Sequence, residues 1–117
     1  MMLDQRIAVT GSRHYDNRAH VWATLDALVP IEAQLLVGDA YGVDAHAWRW
    51  AQARGRVAVR FVAQWRALGR AAGPIRNGRM LREATALIAF EEGGGKGTRD
   101  CIAQAERLGL PITMIKG

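Results

Sequence analysis

Phe90-Glu91-Glu92-Gly93-Gly94-Gly95-Lys96-Gly97-Thr98-Arg99-Asp100 is the stretch of this chain best suited to chemistry. It follows an apolar run, Ala86 to Phe90, that reads as a buried strand, and precedes an amphipathic run, Cys101 to Leu108, that reads as a helix. Glycines let a backbone close round a ligand and take positive φ. A helix N-terminus offers unpaired N–H groups and a partial positive charge, which suits phosphate. Gly94, Gly95, Lys96, Gly97 and Thr98 therefore read as a phosphate cradle made of backbone N–H groups, one ammonium and one hydroxyl. It is not a Walker A loop, because Gly97 rather than Ser or Thr follows Lys96, and it is not GxGxxG, because Thr98 stands at the last glycine. The alternative reading is a plain glycine-rich surface turn.

Other candidates need the same edge to be useful. Asp100 is a carboxylate that can stabilise an oxocarbenium-like sugar and position a water; an acid in the first turn of a helix is also simply favourable with the helix dipole. Arg76 can hold a phosphate or orient Asp100. Ser12 and Arg13 can contact a second phosphate or a ribose, and Asp39 and Asp44 can accept ribose hydroxyls, Asp44 equally reading as a helix-start acid. Tyr15, Tyr41 and Trp65 are either base-stacking surfaces or partial core. Cys101 reads as a small buried residue more readily than as a nucleophile. The 3 histidines and the lone cysteine show no metal-ligand spacing, so neither a metal nor a cofactor is expected.

The elements that must position these residues alternate. Arg6 to Thr10 is β-prone and ends at Gly11-Ser12-Arg13. Asp16 and Asn17 are N-cap residues, and Val21, Leu25 and Leu28 follow at helical spacing before Pro30. Gln34 to Val37 is a second strand, ended by Gly38-Asp39-Ala40-Tyr41-Gly42. A helix from about Val43 to Arg54, a strand from Val57 to Val62 and a loop with a short helix from Trp65 to Ala72 come next. Gly73-Pro74 opens another helix carrying Arg76 and Asn77. The strand Ala86 to Phe90, a helix from about Gly97 to Leu108 capped by Gly109, and the strand Ile112 to Ile115 complete the chain. This alternation predicts one α/β domain over residues 1–117: a Rossmann-like, mostly parallel five-stranded sheet with helices on both faces. Ligands of such folds bind beyond the carboxyl ends of the strands, where Gly11-Ser12-Arg13, Gly38 to Asp44, Arg76-Asn77 and the glycine loop all fall.

Composition sets outer bounds. A chain of 117 residues, 50% hydrophobic and 23% charged, is globular and can bury a core. No apolar run approaches the roughly 18 residues of a membrane span, and Met1-Met2-Leu3-Asp4-Gln5-Arg6 shows no signal-peptide pattern. One cysteine suits a reducing cytoplasm. Of the 16 basic residues all but Lys96 and Lys116 are arginine, and no acid interrupts the arginines between Asp44 and Glu83. That block reads either as a solvated face or as a surface for single-stranded nucleic acid. The chain lacks the evenly spaced exposed aromatics that nonspecific single-strand grooves use.

Gly11-Ser12-Arg13, Gly38-Asp39-Ala40 with Gly42-Val43-Asp44, Ala72-Gly73-Pro74-Ile75-Arg76-Asn77 with Met80, and Gly94-Gly95-Lys96-Gly97-Thr98 with Asp100 together resemble the SLOG superfamily, and its YspA/YpsA-related branch most closely. The resemblance implies a Rossmann-like domain for a nucleotide or nucleotide-derived ligand of AMP, NAD or ADP-ribose type, in a protein that self-associates. Two relatives imply different activities. Lonely Guy phosphoribohydrolases cleave the base from a nucleoside 5′-monophosphate; Arg76-Asn77 with Met80 is similar to their Arg-Lys and Met, Gly93 replaces their Pro, and Asp100 stands where their catalytic Glu is expected. DNA-processing protein A implies single-stranded DNA binding.

Overall fold

The computed structural model of the chain describes residues 4–117, so Met1 to Leu3 of the N-terminal stretch lie outside the described residues. The order is β1 (Arg6–Thr10), α1 (Arg18–Leu28), β2 (Gln34–Val37), α2 (Val43–Ala53), β3 (Ala58–Arg60), α3 (Trp65–Leu68), a 3-10 turn (Gly69–Ala71), α4 (Ala72–Glu83), β4 (Ala86–Phe90), α5 (Lys96–Arg107) and β5 (Ile112–Ile115). All neighbouring strands pair in parallel, in the order β3-β2-β1-β4-β5. The chain therefore moves outward from β1 to β3, then returns to lay β4 on the other side of β1. Crevices form at such reversals, outside the carboxyl ends of the strands.

Strand side chains alternate between two cores. Ile7, Val9, Leu35, Val37, Ile88 and Phe90 pack with Val21 and Leu25 of α1 and Ala47 and Trp50 of α2. Ala8, Leu36, Leu87 and Ala89 pack with Met80 and Leu81 of α4 and Cys101 and Ala105 of α5. Both faces are thus covered, as the near-continuous apolar strands require. The two tryptophans of α2, Trp48 and Trp50, differ in their surroundings. Trp50 is fully buried and its Nε1–H donates to Asp26 Oδ1 at 2.8 Å, while Arg54 grips the same carboxylate with two N–H groups at 3.0 Å, joining α1 to α2. Trp48 is half-buried beneath the Arg60 guanidinium, 4.9 Å from its ring centre.

Boundaries depart from expectation mainly at β3. The strand expected from Val57 to Val62 shrinks to Ala58–Arg60, since its one neighbour, β2, has four residues and pairs through Leu35, Leu36 and Val37. Val57, Val59 and Val62 stay exposed, so no burial extends it. The final helix begins at Lys96, one residue before expectation. Among the described residues no helix is long and apolar enough to cross a membrane.

Candidate functional site

Burial of polar groups is costly without partners, so the location of buried polar side chains is informative. Among the described residues they are Thr10, Ser12, Asp44, Arg76, Asn77 and Thr98. All six lie at the carboxyl edge of the sheet: the end of β1, the loop after it, and the first or second turns of α2, α4 and α5.

Asp39 follows β2 and accepts from Arg76 Nη1 at 2.5 Å and from the Ala63 N–H at 3.3 Å. Arg76 Nε donates to Asn77 Oδ1 at 3.1 Å, and Asn77 Nδ2 donates to Asp100 Oδ2 at 3.0 Å and to the Gly97 carbonyl at 3.3 Å. Gln104 Nε2 donates to Asp100 Oδ2 at 2.8 Å. A continuous chain of hydrogen bonds therefore runs from the β2 loop through α4 to the first turns of α5. Arg76 is turned to Asp39, not outward, and reaches Asp100 through Asn77.

Any side chain at Gly38 would force Arg76 and Asp44 to move. A methyl there would come within 2.6 Å of both Arg76 Nη1 and Asp44 Oδ2. Asp44 is buried in the first turn of α2, and its Oδ2 accepts the Ala40 N–H at 3.2 Å. Burial pushes its carboxyl up to about 6, the nearby Asp39 charge adding to this and Arg76 and the Ala40 N–H opposing it. Gly42 precedes α2 at φ 69°, and a methyl on it would overlap the Ser12 carbonyl. That carbonyl accepts the N–H groups of Tyr15 and Val43, each at 3.2 Å. Ser12 thus ties the β1 loop to α2, and its Oγ accepts the His14 N–H at 3.0 Å. Gly11 packs against Val43 and Phe90, while Arg13 is exposed.

The glycine loop is built differently. Gly95 caps α5 with no side-chain hydrogen bond, and methyls on Gly95 or Gly97 would meet nothing within 4 Å. Lys96 is exposed, and the buried Thr98 lays its methyl against Gly94. The start of α5 thus has no side-chain cap for its first N–H groups, which a helix start leaves without partners in the helix.

A hollow of about 400 Å³ opens on the β2 side, lined among others by Asp39, Tyr41, Asp44, Trp48, Arg49 and Arg60. The glycine loop is not part of its lining. Of the candidate stacking residues, Tyr15 is buried with its hydroxyl donating to the Gly117 carbonyl at 2.6 Å, and Tyr41 and Trp65 are exposed. Cys101 is buried and its thiol is pushed up to about 12 by desolvation, which removes it as a nucleophile. The arginine block is largely employed: Arg54 on Asp26, Arg56 on the Val29 and Pro30 carbonyls, Arg76 on Asp39, and Arg60 and Arg79 over aromatic rings. Sequence reasoning missed Thr10, Gln104, Trp48 and Arg60 as parts of this edge. Two had a readable signal: Trp48 lies four residues after Asp44, and Gln104 four after Asp100, which puts each pair on one helix face.

Parallel β3-β2-β1-β4-β5 order, a glycine-rich carboxyl edge and helices on both faces define a Rossmann-like domain. Residues 5–67 match the model of the YAcAr family, described as the YspA, cpYpsA-related SLOG family. The chain belongs to that family. It is also similar to the Gene 61 protein of Mycobacterium phage D29, 34% identical over 117 residues that cover 92% of this chain and 94% of the relative. Asp39 and Asp44 fall inside the family match; Arg76 and the glycine loop fall beyond it. Among solved structures the fold is shared with DNA processing protein A (DprA) from Streptococcus pneumoniae, at TM-score 0.81 and 16% identity over 97% of this chain. The chain spans about half of that protein, 51% of its length. It is shared too with TM1055, a structural-genomics target, at TM-score 0.69 and 18% identity, covering 92% of this chain and 72% of that one.

Proposed function

We propose that this chain binds a nucleotide or nucleotide-derived ligand, of AMP, NAD or ADP-ribose type, at the carboxyl edge of its sheet. The phosphate lies against the N–H groups of Gly95 to Thr98, helped by Lys96, and Asp39 takes sugar hydroxyls. The observation that carries this reading is the collection of every buried polar side chain of the described residues at one edge, where two of them, Arg76 and Asn77, join Asp39 to Asp100 by hydrogen bonds. A fold that accepts such a cost in one place does so for a site rather than for stability. Membership of a SLOG family supports a nucleotide-related role. The test is thermal unfolding of the chain with AMP, GMP, CMP, UMP, NAD and ADP-ribose. A ligand at about a hundred times its Kd adds roughly 2.7 kcal/mol; no shift with any of them sinks the reading.

A second reading makes the site a nucleoside 5′-monophosphate N-glycosidase. It is favoured by Asp100, a half-buried carboxylate whose Oδ2 is held by Asn77 and Gln104 while no described residue donates to Oδ1. Such a fixed carboxylate can stabilise an oxocarbenium-like ribose and direct water at C1′. Base release measured by chromatography should vanish in Asp100→Asn, and a wild-type chain that releases no base from any nucleotide removes this activity. Single-stranded DNA is a third candidate ligand, supported by the exposed Arg49, Arg66 and Arg70 and by the fold shared with a protein named for DNA processing. An oligonucleotide added to the same panel tests it: binding should fall steeply with salt.

A further inference from the structure

The hollow beside α2 holds a group that the phosphate and sugar contacts leave unexplained. Asp44 is only 6% exposed, yet no cationic side chain lies within 4 Å of it among the described residues, and no described residue donates to its Oδ1. A buried carboxylate with an open acceptor facing a hollow can take donors from a ligand in place of water. One helical turn on, Trp48 stands on the same face of α2 and also lines the hollow. The planar Arg60 guanidinium already lies 4.9 Å above its ring, so that indole face takes a flat, delocalised group, and a base stacked there would displace the guanidinium. A carboxylate at the edge of a slot and an aromatic ring along its wall together suit a nucleobase more than a sugar.

Resting on the nucleotide reading above but replacing the adenine of AMP, NAD and ADP-ribose by guanine, we propose that this hollow is a base-reading subsite: Asp44 accepts the adjacent N1–H and N2–H donors of a guanine-type base whose face lies on Trp48. Guanine is selected because it alone among the common bases presents two neighbouring N–H donors on one edge. Adenine and cytosine set an acceptor nitrogen beside their amino group, uracil sets carbonyls beside its single N–H, and hypoxanthine lacks the amino group. Arg49 and Arg60 at the rim leave the hollow hospitable to a neutral ring and unfavourable to a cation. The subsite and the glycine loop are connected, since Gly38 separates Asp44 from Arg76 and the hydrogen bonds of Arg76 and Asn77 lead on to Gly97.

The experiment is calorimetric titration of the whole chain with GMP, IMP, AMP and 2′-deoxy-GMP. GMP should bind at least about tenfold tighter than IMP and AMP, the scale of discrimination that a bidentate base contact provides, and in wild type and Asp44→Asn alike 2′-deoxy-GMP should differ from GMP by the same factor. In Asp44→Asn the tenfold preference should disappear while AMP binding persists, and Trp48→Leu should weaken all four severalfold. The wild-type ranking needs no variant to fold, so the proposal stays testable even if Asp44→Asn unfolds. Equal affinity for GMP, IMP and AMP overturns the base-reading assignment and leaves nucleotide binding standing. A 2′-deoxy-GMP affinity below that of GMP in wild type but equal to it in Asp44→Asn overturns it too, because Asp44 would then read the sugar. Binding of none of the four overturns the base-reading assignment, and the nucleotide reading falls with it only if NAD, ADP-ribose, CMP and UMP also leave the thermal transition unmoved.

Discussion

On the β2 side of the carboxyl edge the site is made of side chains. Asp39, Asp44, Arg76 and Asn77 are held by one another, Gly38 is squeezed between two of them, and a hollow opens beside them. On the β4 side it is made of backbone: Gly95 and Gly97 face open space, Lys96 is exposed, and the helix start has no side-chain cap. The first half carries stored electrostatic cost and ought to respond sharply to mutation and pH. The second costs the fold little and ought to respond only when ligand is present. The contrast teaches that recognition and stability are separable here, with one half bound into the core and the other free of it.

Removing the cation tests the first half most severely. Arg76 is 8% exposed and is the one positive group facing both Asp39 and Asp44. Arg76→Met should lower unfolding stability by about 4 kcal/mol, the scale of breaking a buried pair from one side. It should also push the Asp44 carboxyl higher still, because Arg76 is the main influence holding it down. Urea denaturation of both chains measures this. A loss below about 1 kcal/mol would mean that the pair behaves as a surface contact and that the two halves do not differ as described.

Protons probe the same half more gently. The Asp44 carboxyl moves from 3.8 to about 6 on folding, so the folded chain prefers it protonated. Its contribution to stability is complete below 3.8 and is lost as pH rises through about 6. Asp26 works in the opposite sense, lowered to about 2 by Arg54 and Trp50, so raw pH curves mix the two. The difference between wild type and Asp44→Asn isolates Asp44. From pH 4 to pH 7 that difference should move against wild type by roughly 2.5 kcal/mol. A difference that stays flat would mean that burial does not raise the Asp44 carboxyl and that the β2 side carries less electrostatic cost than described.

Most of the fold was legible. Five apolar runs alternating with helical spacing gave strand order no direct signal but required a parallel sheet covered on both faces, and that is the architecture found. The glycine loops were legible because glycine and helix-start chemistry are local. Long-range pairing was not: nothing in the spacing says that Arg76 turns to Asp39, 37 positions away, and is thereby tied down beside the loop after β2. The extent of β3 was misjudged for a related reason, since a strand runs only as far as its partner does, and β2 is short. An uninterrupted arginine run looked like one surface, yet its members are distributed among a carboxylate on α1, backbone carbonyls, aromatic rings and the buried edge.

The smallest effect on stability, and the sharpest separation of the two halves, should come from Gly95→Leu. Gly95 has φ −93° and ψ −156°, an extended conformation open to any residue, and a methyl there meets nothing within 4 Å. Unfolding stability should therefore change by less than about 0.5 kcal/mol. The leucine side chain would nevertheless occupy the space before the first N–H groups of α5, where a phosphate would lie. Affinity for whichever nucleotide shifts the thermal transition should fall at least about tenfold, as expected when a charge-assisted contact is blocked. Both numbers come from one series of denaturation and titration curves. Unchanged affinity would take the phosphate away from the glycine loop and leave the β2 side as the whole site. A large loss of stability would show that the loop is packed after all and that the division between the two halves is wrong.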